Sequence, residues 1–264
     1  MKVALTIAGS DSGGGAGLQA DLKTFVDHGV WGASVVTALT AQNTIGVLGV
    51  SAVAPEFVKA QLDAVLGDLR VDVVKIGMLA TATIAEVVAI ALDARPDLAV
   101  VLDPVCVSTS GHRLLDDDAI GVLLGRLVPR ATVVTPNTQE WTLLGGADAF
   151  GTATVLLKGG DAEGDVVVDV LMAAGTERLR LSAPRLPGGP FHGTGCTLSS
   201  AIAARLARGE TLEAAVRGAT GYVRSLLANG AGWSPGRGLG GLPHGSGLRA
   251  LNGAPTLTGP SPRR

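Results

Sequence analysis

Short apolar runs alternate with stretches whose apolar positions recur at helical spacing. Residues 3–8 form a compact apolar run, residues 9–17 are dense in glycine, and residues 18–28 place Leu18, Leu22, Phe25 and Val26 near one helical face. That sequence reads as strand, loop, helix. The rhythm predicts further strands at 33–39, 71–76, 99–102, 132–135 and 153–157, and helices at 56–66, 83–94 and 116–127. Strands that alternate with helices argue for an α/β domain, a mainly parallel central sheet with helices on both faces. Two stretches break the rhythm. Residues 166–172 and 177–182 flank Ala173, Ala174 and Gly175, the pattern of a small edge hairpin. Residues 195–206 and 212–227 then read as two consecutive helices. From Gly230 onward glycine and proline dominate. The chain is therefore read as one domain over 1–232, with a Gly/Pro-rich, partly disordered tail over 233–264.

Composition narrows the function classes. The 264 residues are 47% hydrophobic and 17% charged, which supports a large core and excludes overall disorder. A net charge of −2 without a basic run gives no footprint for nucleic acid. No stretch approaches the ~18 apolar residues of a membrane span, and residues 1–8 lack the pattern of a secretory signal. Cys106 and Cys196 are too few for a disulfide framework, so a cytoplasmic chain with free thiols is expected.

The candidate chemistry gathers where strands end. Of five lysines, Lys75 and Lys158 each lie at the end of an apolar strand with a glycine one or two residues on, a placement that suits phosphate beyond the carboxyl edge of a parallel sheet. His192-Gly193-Thr194-Gly195-Cys196 opens a helix. Consecutive amides there form an anion cradle, and the helix dipole would lower the pKa of a thiol at Cys196; a glycine cap with a buried cysteine is the plainer alternative. Asp103, Asn137 and Glu140 follow strands at the same edge and together suit Mg²⁺, although taken alone Asn137 reads more readily as a helix cap and Glu140 as a first-turn partner. The glycine run 9–17 lacks the lysine of a Walker loop and is read as backbone approaching a flat ligand, with Asp21 one turn inside the helix. Gln42, just beyond a strand, offers one donor and one acceptor to a heterocycle.

Seven ordered segments carry a resemblance: LTIAGSDSGGGAGLQADLKTF (5–25), TALTAQNT (37–44), KIGML (75–79), VLDPV (101–105), TPNTQE (135–140), LLKGGD (156–161) and HGTGCTLSSAIAA (192–204). Together they resemble the bacterial hydroxymethylpyrimidine and phosphomethylpyrimidine kinases of the ribokinase-like superfamily. The resemblance implies ATP-dependent phosphorylation of a hydroxymethylpyrimidine, then of its monophosphate, in thiamine biosynthesis. It further implies ATP and Mg²⁺ as cofactors, a homodimer, and a mobile lid over residues 107–115. By the same resemblance Cys196 is catalytic, with Gly193, Thr194 and Gly195 as the anion hole. Gln42, Ala16, Asp21 and Met78 surround the pyrimidine, Lys158, Gly159 and Asn137 lie on the ATP side, and Asp103 and Glu140 serve the metal.

The chain departs from that pattern in three places. Only 17 residues separate Glu140 from Lys158, enough for a parallel crossover containing a short helix from Thr138 to about residue 144 and a turn at Gly145-Gly146. Phe191 stands where threonine commonly precedes the His-Gly-Thr-Gly-Cys string, and the tail beyond Gly232 is longer than usual. Two rival functions follow. A pyridoxal kinase of the same fold would carry a second cysteine in the lid, where Ser108 stands and Cys106 lies two residues earlier. A non-catalytic pyrimidine-binding regulatory protein would not need Asp103, Asn137, Glu140, Lys158 and Cys196 together.

Overall fold

The computed structural model describes residues 1–107, 111, 113–187 and 191–245. The elements in order are β1 (Val3–Asp11), α1 (Gly17–Asp27), β2 (Trp31–Gln42), β3 (Val47–Ala52), α2 (Pro55–Asp68), β4 (Val73–Ile76), α3 (Ala82–Asp93) and β5 (Ala99–Leu102). Helix α4 (Asp117–Val122) continues through a wider π turn (Leu123–Leu127) into α5 (Val128–Arg130). Then come β6 (Val133–Val134), α6 (Thr138–Leu143), α7 (Gly146–Phe150), β7 (Thr154–Leu157), β8 (Val166–Ala173), β9 (Thr176–Pro184), α8 (Thr194–Ala207) and α9 (Leu212–Asn229).

One nine-stranded sheet runs in the order β3-β2-β1-β4-β5-β6-β7-β8-β9. The strands from β2 to β7 are parallel, and antiparallel β3 and the β8–β9 hairpin close the two edges. The period-2 pleat sorts each strand between two cores. Leu5, Ile7, Val74, Ile76, Val100 and Leu102 face the side of α2, α3 and α4, whereas Ala4, Val73, Val101 and Val133 face α1, α8 and α9. Helix α8 presents mostly small residues to the sheet, with Thr197, Ser199, Ser200, Ala201, Ala203 and Ala204 all buried. A backbone so thinly clothed lies close to the strands, which brings its N-terminus down onto their carboxyl ends.

The expected α/β architecture and edge hairpin are present. Strand β3 was missed because its burial pattern is almost wholly exposed, leaving no apolar alternation to detect. The short connection after Glu140 does cross over in parallel, with Val134 opposite Val155. It holds α6 as anticipated, and Gly145 takes a left-handed φ of 97°. A second short helix, α7, then seats Phe150 in a stack with Trp141 at 4.9 Å. Residues 108–110 and 112 of the expected lid, including Ser108, lie outside the described residues; its flanks meet at the Val107–Arg113 bridge, and Leu115 bridges Ala80. Residues 246–264 of the tail lie outside as well.

Residues 233–245 lie against the domain. Phe191 bridges Gly240, the His192 amide donates to the Gly240 carbonyl at 2.9 Å, and Leu242 is buried with Phe191 and Leu226. Two departures noted in the sequence are thus one feature: Phe191 is the apolar seat of the segment that follows α9.

Helix α6 starts on a reciprocal cap. The Glu140 amide donates to the Asn137 side chain at 2.7 Å and the Asn137 amide donates to the Glu140 carboxylate at 2.9 Å. Asn137→Ala removes one half of this box and should lower stability by about 1 kcal/mol. A lower urea midpoint with an unchanged slope is the expected result; an unshifted midpoint would assign the cap no weight.

Candidate active site

The carboxyl ends of β1, β2, β4, β5, β6 and β7 open into one cavity of about 980 Å³. Its lining contains Ala16, Gln42, Met78, Asp103, Asn137, Glu140, Lys158, Gly193, Thr194, Gly195 and Cys196, so most of the expected site residues meet in a single space. Gly159 stands just behind this wall. Its amide donates to Asp169 at 2.9 Å, and a Cβ there would lie 2.1 Å from the Val168 carbonyl oxygen, so no other residue fits.

Asp21 occupies a different place from the one expected of it, whereas Lys75 does line the cavity. Both side chains are fully buried, with Lys75 Nζ 2.9 Å from Asp21 Oδ2. Asp21 also accepts from Thr6 and Ser200, each at 2.6 Å. Its oxygens are thus spent inside the fold, and Asp21 does not line the cavity. Burial disfavours the Lys75 charge, yet Asp21, with Cys196 and Asp103 beyond it, holds its pKa above the usual lysine range. Lys75 is thus a fully covered cation in the cavity wall, its charge matched by a carboxylate. Lys158 keeps some exposure at the same wall, with Nζ 2.8 Å from Asp103.

Around Lys158 the charges interlock. Asp103 accepts from Lys158, from Thr135 at 2.9 Å and from Ser199 at 3.3 Å. Burial opposes its ionisation, but Lys158 and Lys75 keep it below the ordinary carboxylate range. Glu140 differs. Burial, with Lys158 opposing and Asp103 adding, pushes its pKa up to about 7.

At the N-terminus of α8 the first helical bond runs from the Thr197 amide to the Gly193 carbonyl at 2.9 Å, so the amides of Thr194, Gly195 and Cys196 precede the hydrogen-bonded ladder. Gly193 has φ 81°, and a Cβ on it would fall 1.9 Å from the Gly15 carbonyl oxygen. The two glycine loops therefore touch backbone to backbone, a contact only glycine permits. Asp11 shapes the first loop by accepting from the amides of Gly13, Gly15 and Ala16 at 2.7, 2.9 and 2.8 Å. The lowered thiol pKa expected at Cys196 is not found. Burial pushes it up to about 11, because it outweighs the opposing influence of Lys75, and Asp21 and Asp103 add to it.

Sequence reasoning gave no role to Arg185 or His192. Arg185 donates Nε to Gly164 and Nη1 to Gly160, both at 2.7 Å, and Nη2 to Ala162, clamping the loop after Lys158. Nothing in its spacing signals this. His192 lies between Gln42 and Asp11; its place in a quoted motif was the available signal.

The phosphomethylpyrimidine kinase family model matches residues 11–242. The chain belongs to this family. It is 46% identical to the hydroxymethylpyrimidine/phosphomethylpyrimidine kinase of Rhizobium meliloti, covering 92% of this chain and 96% of that one. The protein of the same description from Escherichia coli is 42% identical over 91% and 96%. Among solved structures, Bacillus subtilis pyridoxal kinase in complex with ADP aligns with a TM-score of 0.83 at 31% identity, covering 95% of this chain and 99% of that one. Phosphomethylpyrimidine kinase from Clostridium difficile gives 0.72 at 37% identity, over 85% and 99%. The fold is the expected ribokinase-like one, and the protein is a kinase.

Asp21→Asn strands the Lys75 ammonium and should destabilise by about 3–5 kcal/mol, whereas removing both charges with Asp21→Leu and Lys75→Met should restore much of that loss. Urea unfolding of the three proteins decides it; a double variant no more stable than the single one would refute the pairing. For Glu140 the folded pKa lies above the ordinary 4.5, so between about 4.5 and 7 the unfolded chain loses its proton first. Ionisation then favours unfolding, and stability falls as pH rises through that window. Glu140→Gln should lack this component, seen as a flatter melting temperature between pH 5 and 7 than in the unaltered protein.

Proposed function

We propose that this kinase transfers the terminal phosphoryl group of ATP to the hydroxymethyl group of 4-amino-5-hydroxymethyl-2-methylpyrimidine, and then phosphorylates the resulting monophosphate to the diphosphate, in thiamine biosynthesis. The observation that carries the reading is the single cavity in which Cys196, at the mouth of α8, shares walls with Gln42, Met78 and Ala16 and with Lys158, Asp103 and Glu140. The names of the relatives from Rhizobium meliloti and Escherichia coli carry both acceptors, the hydroxymethylpyrimidine and the phosphomethylpyrimidine, and so support this reading.

In this reading Gln42, Ala16 and Met78 enclose the pyrimidine ring. Gly159 and Asn137 shape the ATP side, with Lys158 as its cation. The amides of Gly193, Thr194, Gly195 and Cys196 face the charge that spreads over the moving phosphoryl group, which is the main demand of this chemistry. Among the described residues no cluster of three metal-ligating side chains occurs. Mg²⁺ nevertheless fits, since it keeps several waters and needs only one or two carboxylates beside phosphates. Glu140, a largely buried carboxylate at the cavity wall with only the Asn137 amide as hydrogen-bond donor among the described residues, suits it best; Asp103, already holding three donors, would contribute less directly. The ion would neutralise phosphate charge.

The cytoplasm is the compartment this reading assigns, and among the described residues no helix is long and apolar enough to cross a membrane. A homodimer is supported by the apolar side chains exposed near the β2–β3 edge, Leu39, Ile45, Leu48 and Val50. The second reading is pyridoxal phosphorylation, favoured by neighbours such as the Staphylococcus aureus pyridoxal kinase solved with AMP-PCP and pyridoxal, TM-score 0.83 at 31% identity. Cys106 gives it no help. Burial pushes that thiol up to about 12, and it donates to the Pro104 carbonyl at 3.3 Å. A panel of the hydroxymethylpyrimidine, its monophosphate and pyridoxal with ATP and Mg²⁺ separates the two, and a strong preference for pyridoxal would reverse the order.

As general base for the alcohol, Cys196 must act as thiolate, and its pKa near 11 makes that form scarce at neutral pH. Turnover of the alcohol should therefore climb with pH from 7 to 9, by up to about tenfold per unit. The monophosphate acceptor, ionised above a pKa of about 6, needs no base and should give a flat profile. Cys196→Ala should then lose most activity on the alcohol and a smaller fraction on the monophosphate. Parallel profiles with equal losses would leave Cys196 a role in transition-state charge or loop geometry.

A further inference from the structure

His192 joins three parts of the site. Its ring rests on Gly15, where a Cβ would lie 2.7 Å from His192 Cδ2. Its Nε2 lies 3.1 Å from Asp11 Oδ2 and 2.7 Å from the Gln42 amide nitrogen. Nδ1 is buried and finds no partner among the described residues.

Counting protons fixes how these groups must be arranged. Asp11 is held ionised: burial opposes this, but the His192 contact and the amides of Ala16 and Gly13 outweigh it. A carboxylate only accepts, so the proton belongs on Nε2. The group facing Nε2 across 2.7 Å must then be an acceptor too, and the Gln42 nitrogen is not one. Thr40 shows the same mismatch on the other side: its one hydroxyl proton faces both the Ser10 carbonyl at 3.0 Å and the Gln42 oxygen at 3.1 Å. A half-turn of the Gln42 amide, which exchanges atoms of nearly equal size, removes both conflicts. Nε2–H then points to the Gln42 oxygen and Asp11, the Gln42 nitrogen donates to Thr40, and Thr40 donates to Ser10. Only the bare lone pair of Nδ1 stays unmatched, which disturbs the site less than a buried N–H without an acceptor.

We propose that His192 is a positioning residue for acceptor recognition: its Nε2–H, anchored on Asp11, holds the Gln42 oxygen and so fixes the order in which Gln42 offers one N–H and one oxygen lone pair to the acceptor ring. The inference rests on the reading that Gln42 faces that ring. An amide of fixed sense matches a ring nitrogen beside an exocyclic amine, and mismatches an oxo analogue in which donor and acceptor are exchanged. An amide free to turn would fit both.

The test compares kcat/KM for the aminopyrimidine alcohol with that for its 4-oxo analogue. The ratio cancels any loss common to both, including a shift of nearby Cys196. His192→Phe keeps the bulk on Gly15 and removes both nitrogens; it should lower the ratio roughly tenfold, the usual effect of one lost buried hydrogen bond, with KM for ATP changed less than about twofold. His192→Gln, which restores an N–H, should recover most of the ratio. In a Gln42→Met background His192→Phe should have no further effect. A ratio unchanged by His192→Phe, or an effect that persists without Gln42, overturns the inference while leaving the Gln42 reading intact. A ratio unchanged by Gln42→Met removes both. The unaltered protein gives an independent check that does not depend on a variant folding: nitrogen NMR should find the His192 proton on Nε2, and a proton on Nδ1 alone would overturn the assignment.

Discussion

The Lys75–Asp21 pair is the constraint on which the rest of this site depends. Its four anchors come from four elements: Lys75 from β4, Asp21 from α1, Thr6 from β1 and Ser200 from α8. Two opposite charges without water gain little net stability from each other, because desolvation offsets their attraction. Their value lies in geometry. An ammonium and a carboxylate that cannot be left unpaired tolerate only one relative placement of the elements carrying them. The pleat decides that they meet, since Thr6 and Lys75 fall on the same face of neighbouring strands as Ala4 and Val73. With Ser200 tied to Asp21, α8 cannot slide along the sheet, and the amides ahead of Thr197 are held over the ends of β4 and β5.

A second layer of charge rests on this one. Lys158 and Asp103 repeat the cation-carboxylate motif in the cavity wall, where Lys158 keeps 12% of its side chain exposed against none for Lys75. Both lysines line the cavity and both are paired with a carboxylate, so the difference is one of depth: the Lys75 ammonium is wholly covered, whereas Lys158 keeps part of its side chain open to the space. Glycines bring the remaining parts together. The approach of Gly193 to Gly15 closes the gap between the loop after β1 and the helix opening at Thr194, and His192 sits at that junction with Asp11 and Gln42.

Much of the fold was legible because its strands are buried on both faces and therefore read as plain apolar runs between helical patterns. Strand β3 was not, since an exposed edge strand has no apolar face to announce it. The site was legible at the level of which strand ends carry chemistry: Asp103, Glu140, Lys158, Gln42 and Cys196 do meet in one cavity. What a linear pattern could not convey was depth. Lys75 and Lys158 look alike, each at the end of an apolar run with a glycine one or two residues on, and each pairs with a distant carboxylate; only the exposure left to Lys158 sets them apart. Cys196 failed in the same way. The helix terminus that favours its thiolate was visible, while the burial that opposes it depends on everything packed above.

Phe191 ties the segment beyond α9 to the site. Read alone, an aromatic side chain in place of threonine before the His-Gly-Thr-Gly-Cys string looks like an intrusion into the site. In the fold it forms part of the cavity wall and packs with Leu226 and Leu242, so that the chain beyond α9 returns to cover the loop preceding α8. The Gly240 carbonyl then accepts the His192 amide, and Leu239 donates to the Thr44 carbonyl two residues past Gln42. Thr197, in the first turn of α8, meets His244 at 3.1 Å, while the Gly245 amide and the Tyr222 hydroxyl share the Asp27 carboxylate. The glycines at 238 and 240 are required for this return, since a Cβ at 238 would fall 2.1 Å from the Thr44 carbonyl oxygen and one at 240 would press on the Phe191 ring. A segment that composition marks as loose is thus fixed by backbone hydrogen bonds to the same two loops that carry Gln42 and His192, and its glycine content is the condition for approaching them.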